Sequence, residues 1–145
     1  MNSAEALKFL LEEYPLLQNK STKIIKQLVA ADGRVYNCFL VESVEPGFER
    51  FIAKSFVHNP ESLKREWILL KLLQEKKAHA PRLLVDQEPK RFLLMEYIDG
   101  IPASKAVKLA DYDANHIFKG VGEATGMANS VELETFGNIL EPSSK

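Results

Sequence analysis

Lys54 lies inside the apolar run Phe51-Ile-Ala-Lys-Ser-Phe-Val57, and that one charge limits what the surrounding chain can build. Spacing with a period of two puts Ile52, Lys54 and Phe56 on one face of a strand and Phe51, Ala53 and Val57 on the other. An ammonium among apolar neighbours needs an anion or a route to water. Asn59-Pro60-Glu61 then supplies three helix-start signals in succession: a capping amide, a proline at the first helical position and an acid in the first turn. The helix is expected to run to Lys77, with Leu63, Trp67, Leu70 and Leu73 as its buried stripe and Glu66 on the edge of that stripe. Two arrangements stay open. Lys54 and Glu66 meet within about 4 Å, or Lys54 snorkels to water while Glu66 pairs with Arg65 or Lys71.

The flanking sequence predicts a sheet. Ala80 to Asp86 and Arg91 to Tyr97 read as short apolar strands around the turn Gln87-Glu88-Pro89-Lys90, followed by the linker Ile98-Asp99-Gly100-Ile101-Pro102. Upstream, Thr22 to Ala31 and Val35 to Val41 are β-rich and joined by Asp32-Gly33, a two-residue hairpin signal, and Glu45-Pro46-Gly47 turns the chain into the lysine strand. The sum is an α+β fold with about five antiparallel strands. Met1 to Tyr14, with Leu7, Leu10, Leu11 and Tyr14 on one face, predicts an amphipathic helix ended by Pro15 and packed on the sheet. Asp111 to Asn129 predicts another helix from Ala114, Ile117, Phe118, Val121, Ala124 and Ala128, and Gly122 and Gly126, four apart, suit close helix packing.

Composition excludes several classes. A net charge of −1 over 145 residues carries no footprint for nucleic acid or an anionic membrane. The single cysteine, Cys38, excludes an internal disulfide and reads as a small apolar filler of its strand. No metal-ligand spacing stands out, and the start has neither a secretory pattern nor a membrane span. The cytoplasm is the expected compartment.

The order of these pieces carries a resemblance. Leu63-Lys-Arg-Glu-Trp-Ile-Leu-Leu-Lys-Leu-Leu73, Ala80-Pro-Arg-Leu-Leu84 and Leu94-Met-Glu-Tyr-Ile-Asp-Gly100 follow a lysine strand, and together they resemble the protein-kinase-like superfamily, in particular its aminoglycoside and choline phosphotransferase branch. The resemblance covers residues 22 to 140. It implies an N-terminal amphipathic helix and connector over 1–21, a kinase-like nucleotide-binding lobe over 22–100 with one helix after the lysine strand, and over 101–145 a hinge exit with the first helix of a second lobe. It further implies ATP as cofactor, with magnesium in the complete protein, and a small-molecule hydroxyl as phosphoryl acceptor. Lys54 would hold the α- and β-phosphates and Glu66 would orient Lys54. The Glu96 carbonyl and Ile98 amide would meet the adenine edge, Met95 would line the back of the pocket and Ile52 would press on the base. Gly33 would belong to the loop over the phosphates, or simply supply a turn.

The sequence also departs from that pattern. The family's G-x-S-N-x-x-Y-L-V form aligns with Gly33-Arg-Val-Tyr-Asn-Cys-Phe-Leu-Val41, where Val35 takes the serine position and the asparagine is displaced to Asn37. Gly122 to Val131, followed by Phe136-Gly137, resembles the entry to the second lobe, with Asn129 where the family has histidine. No H-G-D-x-x-x-x-N loop occurs: His58, His79 and His116 are followed by Asn-Pro, Ala-Pro and Ile-Phe. The expectation is therefore a piece of a longer phosphotransferase, without turnover by itself. The alternatives are a non-catalytic kinase-like interaction module and the nucleotide lobe of a small kinase acting on proteins or sugar lipids.

Overall fold

The computed structural model describes residues 1–18, 21–29, 33, 35–109 and 113–130. The chain enters through α1 (Ser3–Glu13) and a short 3-10 turn (Pro15–Leu17), then runs through β1 (Lys23–Val29), β2 (Val35–Glu42) and β3 (Arg50–Ser55). Next come α2 (Pro60–Glu75), β4 (Phe92–Glu96), the four-residue α3 (Ala103–Ala106) and α4 (Ala114–Asn129). The strands form one antiparallel sheet in the order β1-β2-β3-β4.

Alternation along β2, β3 and β4 divides the side chains between two faces. Phe39, Val41, Phe51, Ala53, Phe92 and Leu94 meet Ala6, Leu10, Tyr14 and Leu17 on one of them. On the other, Leu93 and Met95 join Phe56, Leu63, Leu70 and Leu83, with Ile52, Trp67 and Leu73 at the margin. No member of the α1-side cluster is more than 2 % exposed, whereas members on the α2 side range from 1 to 9 %. The α1 side is therefore the drier core, and the α2 side is the face that opens toward solvent.

The amphipathic start packs on the sheet as its sequence suggested. Asn2 and Glu5 close a reciprocal capping box, the Asn2 side chain accepting from the Glu5 N–H at 2.9 Å and Glu5 from the Asn2 N–H at 3.1 Å. Its other end is tied down more firmly. The Glu13 carboxylate, 3 % exposed, accepts the backbone N–H groups of Lys90, Arg91 and Phe92 at 2.7 to 3.1 Å. The Tyr14 hydroxyl donates to the Phe92 carbonyl at 2.7 Å. Burial, reinforced by the Glu13 charge, pushes the Tyr14 phenol well above its ordinary value.

Several expectations need correction. Four strands are seen among the described residues. The Ala80 to Asp86 run contributes only an isolated bridge, Leu83 to Met95, because Pro81 lacks an N–H and the side chains of Gln74 and Glu96 take the N–H groups of Leu83 and Arg82. The lysine strand ends at Ser55, so Val57 lies beyond it. In α2 the buried residues are Leu63, Ile68 and Leu70, while Trp67 and Leu73 are half-buried. Asn59 stands at the N-cap without a side-chain capping bond. The helix stops at Glu75, two residues early: Lys77 adopts a left-handed φ of 53°, and the N–H groups of Lys77 and Ala78 turn back to the carbonyls of Gln74 and Leu73.

At the far end, α4 buries none of its residues, and Phe118 is 64 % exposed. A Cβ placed on Gly122 or Gly126 meets nothing within 4 Å, so the close helix packing expected of that pair is not made among the described residues. Asp113 caps α4 by accepting the Asn115 N–H at 3.0 Å. Asp111, Asp32 and Phe136-Gly137 lie outside the described residues. No described helix is long and apolar enough to cross a membrane.

Candidate functional site

The site is built from the middle of β3 and the middle of α2. Cross-strand register puts Cys38 and Leu93 on either side of Lys54, and Leu40 and Met95 on either side of Ile52. All six share the face that α2 covers in part. The Lys54 Nζ donates to Glu66 Oε1 at 2.6 Å and to Oε2 at 2.7 Å, so the pairing across α2 is the one realised rather than Arg65 or Lys71. Lys54 also lies 5.3 Å from the centroid of Phe56. The side chains of the pair keep 33 % and 30 % exposure, which leaves the ammonium reachable from solvent while its orientation is held. No family model, curated protein or solved structure matches the chain.

Met95 is buried and Ile52 half-buried beside it, an apolar floor next to the charged pair. Glu96 turns to the opposite side of its strand, where Oε1 accepts the Arg82 N–H at 2.9 Å while its own N–H donates to the Arg82 carbonyl at 2.9 Å. Ile98 follows the strand end and is 64 % exposed. Gly33 has a φ of +82°, so the conformational role of this glycine is real. Gly33 precedes β2 and is exposed, and no contact among the described residues links it to the pair. The structure therefore gathers Ile52, Lys54, Glu66 and Met95, with Glu96 and Ile98 along the exit, and leaves Gly33 apart.

Two features of this face escaped the sequence reading. Cys38 is half-buried directly across from Lys54, not filler within a dry core. Its thiol is pushed above the usual cysteine range by burial, with Lys54 opposing that shift and Glu66 adding to it. The pairing of β2 with β3 is the signal that would have found it. Nearer the strand exit, Arg50 donates to Glu42 at 2.8 Å and stacks 5.7 Å from the Tyr97 centroid. The Arg50 hydrogen bond holds the Glu42 carboxyl below the ordinary glutamate range. Among the described residues, no group of three or more His, Cys, Asp or Glu side chains is placed to hold a metal ion.

Proposed function

We propose that this chain is the nucleotide-binding portion of an ATP-dependent phosphotransferase whose acceptor is a small-molecule hydroxyl. The observation that carries the reading is the Lys54 ammonium, gripped through both oxygens of Glu66 and still one-third open to solvent. A cation held in this way is oriented before any ligand arrives, which is the property that phosphate recognition requires. The apolar surface of Ile52 and Met95 suits the flat face of a base, and the backbone from Glu96 to Ile98 follows directly. Bound ATP supplies the phosphoryl group. Lys54 orients its phosphates, Glu66 fixes Lys54, and Ile52 and Met95 exclude water from the base. Among the described residues no group of three or more His, Cys, Asp or Glu side chains is placed to hold a metal ion, and neither magnesium ligation nor the base for the acceptor hydroxyl is assigned to them.

A second reading, nucleotide or partner binding without chemistry, is favoured by the first hairpin. Gly33 is the only glycine between Val29 and Val44, and a loop with one glycine offers few backbone donors for close approach to phosphates.

The test is an equilibrium titration of the chain with magnesium–ATP. Binding should be measurable, and Lys54→Met or Glu66→Ala should weaken it by about tenfold, as expected for a charge-assisted contact. Binding indifferent to both substitutions would remove the mechanism. Magnesium-dependent turnover in a longer natural form, abolished by Lys54→Met, separates the enzyme from the non-catalytic module.

A further inference from the structure

Gln74 stands on the last turn of α2, and its side chain has left its own helix. Its Oε1 accepts the Leu83 N–H at 3.1 Å. At that point the segment 82–84 is spliced to β4: Leu83 bridges Met95, and Leu84 and Glu96 donate N–H bonds to the Leu94 and Arg82 carbonyls, each at 2.9 Å. The Glu96 carboxylate takes the Arg82 N–H. The segment is thus fastened on one side to the strand that carries Met95 and on the other to the helix that carries Glu66. Gln74 lies eight residues, about 12 Å of helix axis, beyond Glu66. Apolar contacts between α2 and the sheet are non-directional and permit rotation and sliding. Directional ties do not.

We propose that Gln74 is a positioning residue for the Lys54–Glu66 pair, setting the rotation and height of α2 by reference to the Met95 strand. Its functional consequence rests on the nucleotide reading above; its structural consequence does not. A carboxylate can meet both oxygens to one ammonium only over a narrow range of helix rotation. Release of the tie at Leu83 lets α2 turn, and Glu66 then leaves Lys54. The coupling is reciprocal, because each tie restrains the same rigid element.

The experiment has a ligand-free arm and a ligand arm. Trp67 is the only tryptophan in the chain and follows Glu66 directly, so its emission reports the setting of α2. Gln74→Leu should raise acrylamide quenching of Trp67, and Gln74→Glu, which keeps an acceptor oxygen, should restore it. Amide exchange at Leu83 should accelerate by about tenfold in Lys54→Met, while exchange at Phe92, held by Glu13, stays unchanged. This second measurement decides the matter even if Gln74→Leu fails to fold. Unchanged Leu83 exchange in Lys54→Met would overturn the proposal, as would unchanged Trp67 quenching in folded Gln74→Leu. In the ligand arm, Gln74→Leu should weaken magnesium–ATP binding about fivefold, with no further loss in the Lys54→Met background. An equal loss in both backgrounds would mean that Gln74 does not act through the pair. Absence of ATP binding by the unaltered chain would remove the nucleotide reading alone, since the ligand-free arm still decides the role of Gln74.

Discussion

Lys54, Glu66 and Cys38 form a small electrostatic system whose signs can be checked. The thiol prefers its neutral form because it is buried, the neighbouring ammonium favours the thiolate, and the carboxylate opposes it. The alkylation rate of Cys38 by iodoacetamide, followed against pH, should reach half its maximum above the ordinary value of 9.0. Lys54→Met should move that midpoint to still higher pH, because it removes the favourable cation and leaves Glu66 uncompensated. Glu66→Gln should move it down. A midpoint that ignores both substitutions would place the thiol away from the pair. Another residue-scale strain sits at Lys77, where a lysine occupies the left-handed position that ends α2. Lys77→Gly should raise stability by up to about 1 kcal/mol, measured by urea denaturation, since glycine adopts that conformation without a Cβ clash. A loss of stability would mean that the lysine side chain supports the cap.

The two long helices that touch the sheet do so with different strength. Leu10 of α1 is 1 % exposed and lies in the drier cluster, so Leu10→Ala should cost about 2 to 5 kcal/mol. Trp67 of α2 is half-buried, carries the Lys71 ammonium 4.6 Å over its ring, and has a buried Nε1 with no acceptor among the described residues. Trp67→Ala should therefore cost less than Leu10→Ala, and denaturant midpoints of the two variants decide it. The reverse order would make the α2 side the principal core. What could be read of these elements in advance was whatever periodicity records. Ile52 and Lys54 on one face, Glu66 on the inner edge of α2 and the amphipathic start were legible because burial imposes a repeat. Glu13, Gln74 and Glu96 were not, because a side chain that accepts from a distant backbone N–H leaves no repeat in sequence. For the same reason the Ala80 to Asp86 run looked like a full strand: its apolar pattern is genuine, but the N–H groups of Arg82 and Leu83 are claimed by side chains.

Across the molecule, the sheet has a dry side held by α1 and a half-open side that presents the charged pair, and stability should be governed by the first. Tyr14 ties the end of α1 to the start of β4, and its raised pKa carries a definite sign. A phenol that ionises at higher pH when folded than when unfolded adds stability below its ordinary value of 10.0, and that stability is lost as pH rises above it. Urea midpoints should hold steady up to that pH and then fall. Tyr14→Phe should lower the midpoint near neutrality, by about 1 kcal/mol for the lost hydrogen bond, and should flatten the alkaline decline. An equally steep decline in Tyr14→Phe would assign the alkaline limit to other groups. The anchoring of α1 has one more consequence, in the order of synthesis. Its partners at Lys90, Arg91 and Phe92 lie 77 to 79 residues downstream, so α1 leaves the ribosome well before the strand that completes its docking place. Until β4 emerges, the α1-side cluster lacks Phe92 and Leu94 and the Glu13 carboxylate lacks its N–H donors, so the closing of the dry side is a late event in the life of the nascent chain.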